Sequence, residues 1–119
     1  MVLNDVLRGV VEKVGGGVGA IIMGYDGIPI DEYVKSGVLD VQLMAVEYAN
    51  VLKEVKRTID VLKTGEMEEI IITTGLSKVI VRAISDDFFI MLALASDGNY
   101  GKGRYLLKRD APKLREELM

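Results

Sequence analysis

The run from Gly15 to Ala20 has the glycine spacing of the dinucleotide-binding pattern G-x-G-x-x-A. In proteins that bind dinucleotides, this pattern joins a strand to a helix, and the pyrophosphate lies at the helix N-terminus. Here the order is reversed, because a helical pattern precedes the glycines and a strand-like run follows them. We therefore predict a flexible connector. A second glycine-rich segment, Gly98 to Gly103, lacks the spacing of a phosphate-binding loop and is predicted to be a turn before a helix.

Acidic residues are adjacent at Asp31-Glu32, Glu68-Glu69 and Asp86-Asp87. Neighbouring side chains on a strand point to opposite faces of a sheet, so these pairs are poorly placed for acid–base catalysis or metal binding. Histidine and cysteine are absent from the sequence. Their absence excludes catalytic thiols, serine–histidine triads and zinc sites of the usual kind. The sequence therefore predicts no catalytic residue, no metal ligand and no cofactor, and a protein that is not an enzyme.

The chain of 119 residues has a net charge of −3 and is 50% hydrophobic. This balance is typical of a globular domain and gives no general attraction to nucleic acid or anionic lipid. Residues 102–119 carry six basic and three acidic side chains, which we interpret as a solvated helix face. No apolar run approaches the roughly 20 residues of a spanning helix. Since the N-terminus also lacks a signal-peptide pattern, we expect a cytoplasmic protein that does not insert into membranes.

The first third of the chain predicts a helix and a hairpin. A helical period runs from Asn4 to Val14, and strand-like segments at 20–23 and 28–33 follow it. Between these segments, Asp26-Gly27 favours a type I′ turn, in which both central residues have positive φ. Pro29 has no N–H to donate to a neighbouring strand. The second strand is therefore expected at an edge of the sheet.

The longest predicted helix runs from Leu39 to Leu62, with Asp40 as its candidate N-cap and Gly65 closing it. At about 100° per residue, one arc of this helix is apolar and forms the expected core face. That arc consists of Val41, Met44, Ala45, Tyr48, Val51, Leu52, Val55, Ile59 and Leu62. The opposite side also carries apolar residues in its first half, including Leu43 and Val46. One sheet face cannot cover so much apolar surface.

Three strand-like runs follow at short spacing, at 67–73, 78–84 and 88–95, and predict an antiparallel meander. A last helix is predicted at 102–118, with a bend or restart near Pro112. The element order α-ββ-α-βββ-α predicts one domain spanning residues 1–119. We expect an α/β fold of the α+β type, a three-layer αβα sandwich. Its five-stranded antiparallel sheet has the order 2-1-5-4-3, with the long helix on one face and the terminal helices on the other.

This strand order leaves the run from Met67 to Thr73 at the second edge of the sheet. A long apolar edge strand without proline tends to aggregate unless another strand pairs with it. A two-fold dimer through this strand would satisfy its backbone and cover the spare apolar side of the long helix. Glu66, Glu68 and Glu69 at the strand start argue for a free, solvated edge instead. Of the two, the sequence favours the dimer.

The pattern resembles the Roadblock/LC7 family, in its MglB-like bacterial and archaeal branch. The resemblance rests on segments whose order and spacing match along nearly the whole chain. They are Gly19-Ala20-Ile21-Ile22 with Asp26-Gly27, the helix from Glu47 to Leu62, Glu69-Ile70-Ile71-Ile72, and Gly98-Asn99-Tyr100-Gly101 with Arg104-Tyr105.

The resemblance implies a homodimer whose third strands pair into one continuous sheet, with the two long helices side by side. It also implies a small Ras-like GTPase bound over those helices, whose GTP hydrolysis the dimer stimulates without inserting an arginine finger. The candidate dimer-interface residues are Met67, Glu69, Ile70, Ile71, Ile72, Leu43 and Val46. The candidate GTPase-contact residues, by analogy of helix face, are Glu47, Asn50, Lys53, Glu54 and Arg57.

Two alternatives remain open, because fold alone does not decide function. Some members of the family are scaffolds for motors or other complexes and activate no GTPase. The αβα arrangement also loosely resembles small-molecule-sensing domains, although such a role needs a pocket with convergent polar groups.

Overall fold

The computed structural model describes residues 2–119, the side chain of Val2 excepted. Helices and strands follow one another in the predicted order, and their bounds differ from the predicted ones by a few residues. The helices are α1 (Val2–Lys13), α2 (Val41–Leu62) and α3 (Tyr100–Leu118), and the strands are β1 (Gly17–Gly24), β2 (Pro29–Val34), β3 (Glu69–Thr73), β4 (Ser77–Ala83) and β5 (Phe88–Ala95).

The five strands form one antiparallel sheet of order β2-β1-β5-β4-β3, which confirms the predicted topology. Helices α1 and α3 cover one face, and α2 covers the other. The central strands β1 and β5 are buried along nearly their whole length, because helices cover both of their faces. The core between the sheet and α1/α3 includes Leu7, Ile22, Ile80, Leu92 and Leu107, whereas that under α2 includes Ile21, Ala45, Leu52, Val81 and Met91.

Helix α2 begins at a side-chain cap, since the Asp40 carboxylate accepts the Leu43 N–H at 3.1 Å. Its end differs from the prediction. Lys63, not Gly65, caps the helix with a left-handed backbone (φ 57°), and its N–H donates to the Ile59 carbonyl. The predicted core face is also wrong at Val51 and Leu62, which are 52% and 63% exposed. The long helix therefore buries a narrower stripe than its apolar residues suggest.

The β1–β2 turn is not the predicted type I′ turn, because Gly27 has a positive φ (86°) and Asp26 does not. The Gly27 N–H donates to the Gly24 carbonyl, and the Asp26 carboxylate accepts the Ile28 N–H at 3.0 Å. A one-residue irregularity in the β1–β2 register follows the turn. This arrangement matches the common three-residue hairpin loop that ends in a glycine bulge.

The two glycine-rich segments pack against each other. Gly16 (φ 82°) accepts the Ala95 N–H, and Gly15 accepts the Asn99 N–H. A Cβ placed on Gly16 would lie 2.7 Å from the Gly98 Cα, which leaves no room for a side chain. The glycines at 15–17 thus allow a close backbone crossing between the start of β1 and the end of β5. As predicted, they connect a helix to a strand.

Helix α3 begins at Asn99, whose side chain accepts the Lys102 N–H at 3.2 Å. This cap already uses one of the N–H groups with which a helix N-terminus binds anions. The helix continues without interruption through Pro112, so the restart expected at that residue does not occur.

Candidate functional site

Strand β3 forms one edge of the sheet and has β4 as its single neighbour in the described chain. In the turn between β3 and β4, the Thr74 N–H donates to the Ser77 carbonyl. The N–H and C=O groups of the even-numbered residues of β3 therefore face β4. Backbone groups alternate in direction along an antiparallel strand. Those of Glu69, Ile71 and Thr73 therefore point away from the sheet, where a second strand can add.

The opposite edge, β2, is blocked by side chains of β2 itself and of α1. The Asp31 carboxylate accepts the outward N–H of Glu32 at 2.8 Å. The Asn4 side chain, from α1, donates to the Glu32 carbonyl at 3.4 Å. Pro29 has no N–H to offer. These features are of the kind that keep a sheet edge from adding another strand, and they leave β3 as the edge suited to pairing.

The three isoleucines of β3 divide between the two faces of the sheet. Ile70 and Ile72 are partly buried on the α2 face. Ile71 lies on the α1/α3 face opposite Ile80, and 37% of it is exposed. An edge strand with three consecutive β-branched aliphatic residues has a high tendency to pair. The structure thus brings these predicted interface residues together on one free edge.

The remaining predicted interface residues take different positions. Met67 precedes β3 and is 9% exposed in the core beneath α2, so little of its side chain is free for a second chain. On α2, Leu43 is 56% exposed, whereas Val46 is partly buried against the same core.

Glu69 is held within its own chain by two arginines. The Arg104 Nε donates to Glu69 Oε1 at 2.6 Å, and Arg82 Nη1 lies 3.6 Å from Oε2. Since only 16% of the Glu69 side chain is accessible, this pairing is partly shielded from water. The glutamate thereby ties β3 to β4 and α3. It is less suited to act as a solvating charge at a free edge.

The five predicted GTPase-contact residues, Glu47, Asn50, Lys53, Glu54 and Arg57, all lie exposed on α2. Arg57 Nε is 2.9 Å from Glu54 Oε2, three residues away on the same helix. Both of these side chains are more than 60% accessible, so the pair contributes little to stability. Large aliphatic side chains interrupt this polar surface, with Leu43, Val51, Val61 and Leu62 each more than half exposed.

An open cavity of about 550 Å³ lies where the α2–β3 connection meets the β4–β5 turn. At its side, Lys56 Nζ lies 3.7 Å from the centre of the Tyr25 ring and donates to the Asp86 carbonyl at 2.8 Å. The buried Tyr25 hydroxyl has no hydrogen-bond partner within residues 2–119. Burial, with a smaller contribution from the nearby Asp86 charge, raises the pKa of Tyr25 to about 12 and keeps the phenol neutral.

This cluster is not evident from the sequence, because about thirty residues separate Lys56 from Tyr25 and from Asp86. Among the side chains of residues 3–119, no group of three acidic residues comes together as metal ligands would. None of the helices in the described part of the chain is long and apolar enough to cross a membrane.

The fold and sequence resemble solved structures along nearly the whole chain. MglC from Myxococcus xanthus is 40% identical, with 98% of this chain and 99% of that chain covered and a TM-score of 0.71. MglB from the same organism is 10% identical, with 99% and 95% covered and a TM-score of 0.86. A Roadblock/LC7 domain from Streptomyces avermitilis is 12% identical, with 96% and 95% covered and a TM-score of 0.83.

At 10–12% identity, the second and third structures show a shared fold and no more. The identity to MglC, by contrast, is high enough over the full length to show common descent. No protein-family model matches the chain, and no curated protein sequence matches it significantly.

Proposed function

Because this chain belongs to the Roadblock/LC7 family, we propose that it is a cytoplasmic, non-enzymatic regulator that forms a homodimer through β3 and binds a small Ras-like GTPase. The observation that carries the proposal is the contrast between the two sheet edges. One edge is blocked by Asp31 and Asn4, and the other offers an unblocked row of apolar residues. A solved structure of an MglB with this fold has a tetrameric arrangement, so self-association occurs among proteins of this fold.

The side chains of β3 favour one pairing register. When Ile71 lies opposite Ile71 of the second copy, Ile70 lies opposite Ile72, and every isoleucine of the strand meets another isoleucine. A shift of the second copy by two residues places Ile71 opposite Glu69 or Thr73 instead. Because cross-strand aliphatic pairs stabilise a sheet, the register centred on Ile71 is the most stable of the three.

The same register uses all of the outward backbone groups. Glu69, Ile71 and Thr73 then pair with Thr73, Ile71 and Glu69 of the second copy. The two-fold axis passes through the Ile71 pair, and both α2 helices lie on the same side of the joined sheet. Aliphatic side chains that are exposed on α2 of a single chain, such as Leu43, would be partly buried against the second copy.

The joined α2 helices provide the surface that we assign to the GTPase. A surface of mixed polar and aliphatic side chains, such as Arg57, Glu54 and Val51, has the composition of a protein–protein interface. We assign any stimulation of hydrolysis to the holding of the GTPase's own residues in a reactive arrangement.

Reversing the charge of Arg57 tests this assignment. We expect Arg57→Glu to weaken binding of a small Ras-like GTPase from the same organism by at least about tenfold, or about 1.4 kcal/mol. The variant loses an attractive charge and places two glutamates one turn apart, yet it should fold normally because Arg57 is exposed. Binding is measured by fluorescence anisotropy of the GTPase loaded with a labelled GTP analogue, and hydrolysis by phosphate release.

Lys108→Glu, an equal charge change on α3 at the opposite face, is the matched control and should leave GTPase binding unaltered. The proposal fails if the native protein at saturating concentration neither binds the GTPase nor alters its hydrolysis. If the protein binds without altering hydrolysis, it is a scaffold and not an activator. If Arg57→Glu binds as tightly as the native protein, α2 is not the contact surface.

A further inference from the structure

Most charged residues at the two ends of α3 have signs opposite to those that stabilise a helix. Anions stabilise a helix N-terminus and cations its C-terminus. Helix α1 follows this rule, with Asp5 in its first turn and Lys13 in its last. The first turn of α3 carries Lys102 and no acid, and its last turn contains Glu116 and Glu117 beside a single cation, Arg115. Helix stability alone therefore does not account for the charge pattern of α3.

Like charges are also stacked along the exposed surface of α3. Arg104 and Lys108 are four residues apart, as are Arg109 and Lys113, and like charges at this spacing destabilise a helix. The single acid before residue 116, Asp110, is 4% exposed and accepts both hydrogen bonds from Arg109, at 2.9 and 3.2 Å. The solvent side of residues 100–115 thus carries cations and no exposed anion.

Tyr105 lies in the middle of this basic surface and is 64% exposed. Lys102, Lys108 and Arg109 surround it at helical spacings of three and four residues. Within residues 2–119, neither lysine forms an ion pair, and the same is true of Lys113. Arg109 is paired with the buried Asp110, whereas the lysines beside Tyr105 are available to an anionic partner. An exposed tyrosine among such cations has the features of an interface hot spot.

We propose that this surface, formed by Lys102, Tyr105, Lys108, Arg109 and Lys113, is a docking site for a short acidic segment of a partner protein. The charge distribution favours a short segment over a long polyanion. The chain as a whole has a charge of −3, and because residues 102–119 contribute +3, the rest contributes −6. That remainder repels nucleic acid or an anionic membrane that extends beyond the helix. The site lies across the sheet from α2 and does not depend on the GTPase surface.

The probe is a fluorescein-labelled polyglutamate peptide of about nine residues, which spans about 30 Å when extended. This length matches that of α3, whose 19 residues rise by about 1.5 Å each. We expect saturable binding by anisotropy at an ionic strength of about 0.01 M, weakened at about 0.1 M, where the Debye length falls to about 10 Å. Lys102→Glu/Lys108→Glu/Lys113→Glu should abolish binding. Tyr105→Ala should weaken it by at least about fivefold, through loss of an interface tyrosine.

Two readouts separate recognition from folding. The triple variant should keep the circular dichroism spectrum of the native protein, because all three lysines are exposed and none of them packs in the core. Arg57→Glu, on the other face, should bind the peptide as the native protein does while losing GTPase binding. The inference is overturned if the triple variant binds the peptide normally. It is also overturned if an oligodeoxythymidine or phosphatidylglycerol vesicles bind more tightly than the peptide.

Discussion

Ile71→Lys is expected to lower the solution mass of the protein from twice 13.1 kDa to 13.1 kDa, as measured by light scattering. In the proposed dimer, Ile71 lies opposite its own copy on the two-fold axis, so one substitution places two lysines directly opposite each other, with Cα atoms about 5.5 Å apart. Like charges directly opposite each other destabilise a strand pair, and the central aliphatic contact is lost as well. The interface then has no favourable contact at its centre.

The variant should remain folded, because Ile71 is 37% exposed in the single chain and lysine can extend into solvent from that position. Circular dichroism at low concentration checks this point. Ile28→Lys is the matched control, since Ile28 is 60% exposed beside the blocked β2 edge. Its mass should stay that of a dimer. A native protein that is monomeric, or an Ile71→Lys variant that remains dimeric, would contradict pairing through β3.

Gly16→Ala is expected to lower the free energy of unfolding by about 2–4 kcal/mol. The left-handed backbone of Gly16 costs a residue with a Cβ about 1–2 kcal/mol. The new Cβ would also lie 2.7 Å from the Gly98 Cα, so the crossing between the two glycine segments must open. A loss of this size is a large part of the roughly 5–15 kcal/mol that stabilises a typical domain.

Gly15→Ala is the control at the neighbouring position. Its Cβ would meet nothing within 4 Å, and Gly15 is not among the residues with a positive φ. We expect its stability to be unchanged or raised by up to about 1 kcal/mol, because alanine restricts the unfolded chain. Urea denaturation followed by circular dichroism measures both variants. Equal stabilities of the two would show that the close approach of residues 16 and 98 does not constrain the fold.

The topology was predictable because it depends on features that lie within each element. Pro29 cannot donate to a ladder, and this one property placed β2 at an edge and so ordered the whole sheet. The meander followed from the short links between its strands. The free edge of β3 was predictable for the same reason, since it is what remains once the other strands have their neighbours.

The features that could not be predicted depend on contacts between distant residues or on competing local choices. The block on the β2 edge needs Asn4, from a different element, to reach Glu32. The Asp26-Gly27 turn has two common geometries, and the Asp26 carboxylate bond to Ile28 accompanies the one with a single positive φ. Lys63 adopts a left-handed cap that sequence rules assign to glycine. In each case, tertiary structure decides among local options.

A cysteine scan of β3 tests most directly the central claim that two copies pair through this strand. The sequence contains no cysteine, so each of Ile70→Cys, Ile71→Cys and Ile72→Cys introduces a single thiol. In the proposed register, residue 71 lies about 5.5 Å from its counterpart between Cα atoms, within the range of a disulfide. Residues 70 and 72 are about 7–8 Å from their own counterparts, which is too far.

Mild oxidation is expected to convert Ile71→Cys to a covalent dimer on non-reducing gels, and to leave the other two variants as single chains. If Ile70→Cys or Ile72→Cys forms the dimer instead, the strands pair in a register shifted by two residues. If none of the three variants forms a disulfide at concentrations at which the native protein is dimeric, the interface does not include β3, and the account is contradicted.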